Sequence, residues 1–262
     1  MSNKLSYLIF GLSFFFLAGC SVKEDRAGCP CYLKIHFQQD LKGEVTLTVK
    51  GKMNPYYKRA TFITSDYPEG YLLTLPKDRY DISCIGGQTH CQLDSSEVVI
   101  PSGKNYDKIF AWLDLDVACL RENSSDTVIL HKQYCQLNIN LAHSDTMKTY
   151  PYMLEAQGSY VGLEINFLNP IPGAFRCTPS EPSAFSRTII LPRQGEGNLT
   201  LKFTDKTTGK TYPLDLHSIF RQKGYNWNAT DLKDVEMTID FASPQMGIVI
   251  NNWTEILMNY EI

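Results

Sequence analysis

The chain has 262 residues, of which 43% are hydrophobic and 12% aromatic, and its formal net charge at pH 7 is −3. This composition is typical of globular proteins and argues against intrinsic disorder. The sequence has no run of basic residues, so nucleic acid is not expected as a partner. The length suits one large all-β domain or two domains of ordinary size.

The N-terminal segment has the pattern of an export signal. Lys4 precedes an almost wholly apolar stretch, residues 5–16, which is shorter than the roughly 20 residues that a membrane-spanning helix needs. Leu17-Ala18-Gly19-Cys20 follows and resembles the lipobox of bacterial lipoproteins. We therefore predict that residues 1–19 are a signal peptide and that Cys20 becomes a lipidated N-terminus, held in the membrane by its acyl chains. The alternative is an ordinary secretory signal in which Cys20 has no role.

Residues 20–30 are predicted to form a lipidated tether. Lys23, Glu24 and Asp25 resemble the basic-then-acidic export signal that sends lipoproteins of Bacteroidota to the outer face of the outer membrane. A solvated charged linker is the alternative interpretation. The predicted location is the cell outer membrane, with the chain anchored by lipid and exposed at the surface.

The rest of the chain alternates apolar and polar residues as β-strands do. Turn-forming residues separate these runs at short intervals, which favours antiparallel β-sandwiches. A polar stretch at residues 143–148 divides two sets of strands, so we predict two domains in tandem, at residues 31–145 and 146–262. Short helices are predicted at Asp215–Lys223 and Ala229–Leu232. The predicted strands are Tyr32–Gln38, Glu44–Lys50, Tyr71–Leu75, Tyr80–Ile85, Glu97–Ile100, Lys108–Leu113, Thr127–His131, Tyr134–Leu141, Tyr152–Gln157, Val161–Phe167, Arg187–Leu191, Leu199–Thr204, Thr211–Leu214, Val235–Phe241 and Met246–Asn251.

Seven cysteines follow Cys20, and an odd number leaves their pairing open. Cys84 and Cys91 flank a Gly-Gly turn and could face each other across a hairpin. Cys29-Pro30-Cys31 has one residue between its thiols, whereas redox and zinc-knuckle motifs have two. Buried free thiols are the favoured interpretation for most of the seven.

The sequence shows no recognisable catalytic or metal-binding motif. The five histidines lack metal-site spacing, and the nearest approach, His90-Cys91 with Asp94, falls short of a closed zinc site. We therefore predict no catalytic residues, no metal and no cofactor. The 15 tyrosines suit either a sugar-binding face or a sandwich core, and we favour the core.

Several segments in a fixed order resemble the fimbrillin-associated anchor family of Bacteroidota, lipoproteins at the base of surface fimbriae. Behind the lipobox, the matching segments are Cys29–Leu33, Leu75–Ile82, Gly224–Val235 and Val249–Trp253. The resemblance implies two transthyretin-like β-sandwich domains, tethering to the outer membrane, and docking of fimbrillin subunits by strand exchange. A surface glycan-binding lipoprotein is the alternative.

The end of the chain is the predicted docking strand. The first strand lies close behind the lipid, so its removal would sever the anchor, and fimbrial contact is expected through the second domain. The alternative is that the end of the chain folds back on its own sheet. The apolar residues that we assign to docking are Ile248, Ile250, Trp253, Ile256 and Leu257.

Two threonines resemble the O-glycosylation acceptors of Bacteroidota, in which threonine lies between an acidic and an aliphatic residue. Thr146 is the better candidate because it lies in the predicted linker. Thr127 has the same local pattern but is expected to be buried in a strand.

Overall fold

The computed structural model describes residues 28–39, 43–94, 96–101, 103–142, 148–240 and 249–256. Within these ranges the chain is nearly all β-strand, with one short α-helix, α1, at Leu216–Gln222 and a 3₁₀ turn at Thr64–Asp66. Asp215 begins α1 by accepting a hydrogen bond from the Ser218 N–H at 3.0 Å. The described residues contain no helix long and apolar enough to cross a membrane.

The first half of the chain forms two sheets. A three-stranded sheet has the order β4-β1-β9, and a five-stranded sheet has the order β10-β8-β5-β2-β3. Their strands are β1 (Cys31–Phe37), β2 (Glu44–Gly51), β3 (Tyr57–Ile63), β4 (Tyr71–Leu75), β5 (Asp78–Gly86), β8 (Phe110–Cys119), β9 (Asn123–Val128) and β10 (His131–Lys132).

The second half forms two more sheets. One has the order β14-β15-β11-β18-β19, and the other has the order β17-β16-β12-β7-β6, with β13 paired to the opposite side of β12. Their strands are β6 (Gln92–Asp94), β7 (Glu97–Val99), β11 (Tyr134–Leu141), β12 (Tyr152–Glu164), β13 (Asn169–Cys177), β14 (Ser180–Ser183), β15 (Ser186–Pro192), β16 (Leu199–Asp205), β17 (Thr211–Asp215), β18 (Asp234–Asp240) and β19 (Val249–Ile256).

The two halves share one topology. In the first half β1 lies between β4, which is antiparallel to it, and β9, which is parallel to it. In the second half β11 lies in the same way between antiparallel β15 and parallel β18. The facing sheets correspond too, because β8-β5-β2-β3 matches β17-β16-β12-β13. Outside this shared set, the second half also has β14, β19 and the β6–β7 hairpin, and the first half has β10.

Period-two alternation explains the core between the sheets. Cys31, Leu33 and Ile35 of β1 are fully buried, while Tyr32 between them is exposed. Apolar side chains from all four sheets belong to one connected buried cluster. The predicted all-β sandwich class is therefore confirmed, although the β1–β9 and β11–β18 pairs are parallel where antiparallel pairing was expected.

Sheet pairing does not follow a division at residue 145. Strand β11 precedes that residue but pairs with β15 and β18. The β6–β7 hairpin also comes from the first half, yet β7 pairs with β12. The two-domain boundary stays a prediction, and these pairings favour moving it to the short segment before Tyr134.

Candidate docking site

The last described strand, β19, lies at the end of its sheet. It pairs antiparallel with β18, from Asp234 opposite Ile256 to Asp240 opposite Val249, with a bulge at Thr238 and Ile239. Within the described ranges β19 has a neighbouring strand on one side only. Its other side therefore presents the row of backbone N–H and C=O groups with which an edge strand can pair to another chain.

Strand β18, the partner of β19, is packed firmly into the core. Val235, Met237 and Ile239 alternate along it and are at most 1% exposed, so one face of the strand is fully buried in the core. On its inner side β18 pairs with β11 over five residues. Burying three apolar side chains of this size contributes roughly 1.5–3 kcal/mol each, which opposes detachment of β18.

A buried ion pair fixes the start of β18. The Lys132 Nζ donates to Asp234 Oδ1 at 2.5 Å and to the Leu232 carbonyl at 3.0 Å. The Gln136 N–H donates to the same Asp234 oxygen at 2.7 Å. Lys132 belongs to β10 of the first half, so this pair ties the entry of β18 to the segment that joins the two halves.

The loop before β18 is held by Arg193. Its guanidinium donates to Gln133 Oε1 at 2.7 Å and to the Ala229 and Trp227 carbonyls. Burial lowers the pKa of Arg193 below its ordinary value. The predicted helix at Ala229–Leu232 is therefore wrong, since these residues form an irregular loop whose carbonyls accept side-chain hydrogen bonds.

Asp231 adds a second attachment of that loop. Its carboxylate accepts the Lys132 N–H at 2.7 Å and lies 3.0 Å from His131 Nδ1. The segment 224–235, which carries part of the family resemblance, is thus the loop and strand entry that these polar contacts lock in place. Sequence inspection missed Lys132, Gln133 and Arg193, because their partners lie far away along the chain.

Only some of the predicted docking residues lie within the described ranges. Ile250, Trp253 and Ile256 lie on β19, whereas Ile248 and Leu257 lie outside the described residues. Residues 249–256 pair with β18 of their own sheet, as the alternative interpretation expected. This pairing uses only one edge of β19. Docking at β19 stays a prediction.

The predicted modification and export residues lie mostly outside the described ranges. This holds for Cys20, Lys23, Glu24, Asp25 and Thr146. Thr127 is on β9 and is exposed, so its expected burial was wrong. It is accessible because β9 is the outer strand of its sheet, where alternate side chains face solvent.

A surface groove of about 770 Å³ lies beside β12 and β13. Glu155 there accepts a hydrogen bond from Gln157 at 2.6 Å and lies 3.5 Å from Arg176, so these polar groups satisfy one another. Among the described residues that line the groove, the one aromatic ring is that of Phe175, which is 7% exposed. The groove therefore lacks an aromatic platform for stacking on sugars.

Several tyrosines pack against other rings. Phe62 stacks on Tyr71 with a centroid distance of 4.4 Å, and Tyr67 contacts both rings edge-on at 5.0–5.1 Å. Tyr152 likewise contacts Tyr150 at 5.5 Å. Such edge-to-face and offset contacts are typical of aromatic packing.

The His90 region is a structural loop. Asp107 Oδ2 accepts the backbone N–H groups of Thr89, His90 and Cys91 at 2.6–2.8 Å. Across the described ranges, no cluster of three or more histidine, cysteine or acidic side chains could hold a metal ion.

Several solved structures have a similar architecture. The chain is similar to the fimbrial anchor protein Mfa2 of Porphyromonas gingivalis, with a TM-score of 0.61 and 11% identity over 87% of this chain and 97% of that one. The two share a fold. A Bacteroides ovatus protein described as an adhesin gives a TM-score of 0.61 at 12% identity, over 92% and 99% of the two chains. A Bacteroides thetaiotaomicron protein described as polysaccharide-binding gives 0.58 at 14% identity, over 88% and 99%.

At sequence identities this low, the structural similarity establishes the fold alone. The all-β sandwich fold that the sequence resemblance implied is therefore confirmed, and the division into two domains stays a prediction. No protein-family model and no curated protein matches the sequence.

Proposed function

We propose that this chain is a lipid-anchored protein of the outer membrane that holds a fimbrium to the cell surface. A fimbrillin subunit docks on β19 and adds a strand to its sheet. The observation that carries the proposal is the position of β19, which among the described residues has a neighbouring strand on one side only. Main-chain hydrogen bonds and apolar pockets give such a joint its affinity without catalytic residues.

The first half suits the role of a closed base. Strand β1 lies between β4 and β9, and its Leu33 and Ile35 are fully buried. Removing β1 would expose this core and separate the chain from Cys20. The joint with the fimbrium therefore belongs in the second half, at the far end of the chain from the lipid.

The polar contacts around β18 support docking at its neighbour. Lys132 and Asp234 hold the start of β18, and Arg193 holds the loop before it. A docked strand on β19 therefore adds to a sheet whose inner strands are anchored to both halves of the chain. The shared fold with Mfa2, itself a fimbrial anchor by name, supports the same role.

A pair of proline variants on β19 tests the docking edge. Neighbouring residues of an antiparallel strand direct their N–H groups alternately toward the partner strand and away from it. One of the two variants, Thr254→Pro or Glu255→Pro, therefore removes an N–H group that points toward β18. The other variant removes an N–H group on the outer edge of β19. Thermal unfolding identifies the outer-edge variant, because its Tm falls less.

The measurement is copurification of fimbrillin subunits with detergent-solubilised protein, together with counts of fimbriae retained on cells. We expect the outer-edge variant to stay folded and membrane-bound but to lose fimbrillin. Full retention of fimbrillin by both proline variants, and by a chain lacking residues 254–262, would refute docking at β19. Recovery of cell-surface glycan in place of fimbrillin would favour the glycan-binding alternative.

A further inference from the structure

Two cysteines of the first sandwich begin and end strands of opposite sheets. Cys31 is the first residue of β1, and Cys119 is the last residue of β8. The chain turns directly after Cys119, and the Glu122 carbonyl accepts the Tyr32 N–H at 2.6 Å. From there β9 runs parallel to β1, starting with Asn123 opposite Tyr32. The turn therefore brings Cys119 beside the start of β1.

A second connection leads to the same place. Leu75, at the end of β4, is the register partner of Cys31. Asp78, which begins β5, is the register partner of Cys119. Because only two residues separate β4 from β5, both cysteines lie at one end of the sandwich.

The two cysteines are neighbours inside the core. Both residues are fully buried, and both are free thiols in this structure. Burial and the neighbouring Cys31 thiol, to which Cys119 is hydrogen-bonded, raise the pKa of Cys119 to about 12. Cys84 is equally buried, but burial alone accounts for its raised pKa. Cys31 and Cys119 therefore differ from Cys84 in having a thiol partner.

We propose that Cys31 and Cys119 form a disulfide bond that joins the two sheets of the first sandwich. One thiolate attacks the disulfide of an oxidant, a dithiol oxidase or oxidised glutathione, and releases one oxidant thiolate. The second cysteine then attacks this mixed disulfide, forms the Sγ–Sγ bond and releases the other oxidant thiol. Two electrons and two protons pass to the oxidant. The bond forms before the sandwich closes, since the buried Cys119 thiol carries little thiolate at neutral pH.

The bond has a mechanical consequence that rests on the proposed function. A lipid tether pulls on the residues just before Cys31, while a fimbrium pulls on the other end of the chain. A covalent link at the first residue of β1 passes this force into β8, so the hydrogen bonds of β1 to β4 and β9 are not broken one after another.

Peptide mapping of the wild-type protein tests the bond directly. Cells are dissolved in a denaturant that contains an alkylating agent, so that buried free thiols react, and the purified protein is digested without reductant. We expect a linked peptide pair containing Cys31 and Cys119, with Cys84 alkylated. Recovery of both cysteines alkylated, or a link from either one to Cys29, would overturn the proposal.

Refolding gives a second test that needs no fimbriae. In a glutathione redox buffer, wild type and Cys84→Ser should acquire the bond and gain several degrees in Tm over their reduced forms. Cys31→Ser and Cys119→Ser should show no such redox-dependent shift, and a shift of equal size in them would contradict the proposal. If the bond is found but fimbriae do not depend on the protein, the proposed function fails and the disulfide stands.

Force spectroscopy separates the mechanical role from simple stabilisation. The chain between Cys31 and Cys119, extended at about 3.5 Å per residue, contributes on the order of 300 Å of contour length. Pulling from residue 28 should release this length from the reduced protein and withhold it from the oxidised protein. Equal contour lengths would show that no bond encloses this segment.

Discussion

At the residue scale, the buried carboxylates of Asp234 and Asp107 are stabilised in different ways. Lys132 and Asp234 are 5% and 0% exposed and neutralise each other. Asp107, which is 3% exposed, is stabilised mainly by three backbone N–H groups. Both arrangements fix a connection between elements, the first at β18 and the second in the loop before β6.

Breaking the buried ion pair should be costly. In Lys132→Met the Asp234 carboxylate stays buried without its cation, so we expect a loss of about 3–5 kcal/mol in the free energy of unfolding. Urea denaturation measures this loss. Lys104→Met, at an exposed lysine, is the control and should change stability by less than about 0.5 kcal/mol. Similar values for the two variants would show that the pair does not hold β18.

The Asp107 carboxylate should make stability depend on acid pH. Burial alone would raise the pKa of Asp107, but the hydrogen bonds from the N–H groups of Cys91, Thr89 and His90 outweigh it, and the pKa is lowered from 3.8. An acid with a lowered folded-state pKa contributes its full stability above its ordinary pKa and loses it as the pH falls through the folded-state pKa.

Asp107→Asn is therefore expected to cost roughly 1–3 kcal/mol at pH 7. The difference from wild type should shrink as the pH falls below 3.8, since both proteins then carry a neutral group. Urea denaturation across this pH range measures it, with the exposed Asp66→Asn as the control. A difference that is constant with pH would rule out the ionised carboxylate as the cause.

At the element scale, the β6–β7 hairpin connects the two halves. The Ile165 N–H donates to the Ser96 carbonyl at 2.7 Å, and the Ile100 N–H donates to the Val161 carbonyl at 2.8 Å. Between these bonds β7 pairs with β12, including Gly162 opposite Val99. Gly162 permits this approach because a Cβ there would lie 2.0 Å from the Val98 carbonyl oxygen.

Gly162→Ala should loosen the hairpin. The added methyl cannot coexist with the Val98 backbone, so β7 must move away from β12, at a cost of about 1–3 kcal/mol. Hydrogen exchange of the amides in residues 97–99 should become faster. Gly43→Ala is the matched control, because its Cβ would meet no atom within 4 Å. Unchanged protection in Gly162→Ala would mean that the pairing tolerates the side chain.

The elements that sequence inspection missed are outer strands. In β3, no side chain is buried, so its alternation of half-buried and exposed residues is weak. Strand β13 contains Pro170, Pro172 and Gly173, which are unusual in central strands but accepted at an edge. Strand β9 is largely polar. Hydrophobic periodicity reveals a strand only where one of its faces is buried. Outer strands with few buried side chains are therefore not detected.

At the scale of the whole molecule, one strand topology occurs twice without a detectable sequence repeat. The second copy adds β19 beside β18, the position that corresponds to the outer side of β9 in the first copy. Among the described residues, the half nearest the predicted lipid thus has no counterpart of the strand that β19 adds to the other half. This asymmetry agrees with one half serving as the base and the other as the joint.

Replacing Cys20, the predicted lipidation site, tests the orientation of the whole chain. Cys20→Ala should leave the protein unlabelled by a fatty-acid analogue and release it from the membrane, because a chain without acyl groups has no anchor. Cell fractionation after labelling measures both effects. A labelled, membrane-bound variant would refute the lipoprotein assignment.

The charged residues after Cys20 provide a matched comparison. Replacing Lys23, Glu24 and Asp25 together with alanine should preserve lipidation but reduce exposure at the cell surface. Added protease digests surface protein on intact cells and therefore measures that exposure. Digestion equal to that of wild type would assign these residues to a solvated linker.

The sequence by itself determined the all-β class, most of the buried strands and the helix at residues 216–222, because these depend on local periodicity and capping. Only the tertiary structure decided the parallel β1–β9 and β11–β18 pairs, the passage of β6–β7 into the second half and the Lys132–Asp234 pair. Each joins residues that are distant in sequence. Their choice of partner depends on which surfaces the assembled core brings together, and no local pattern records it.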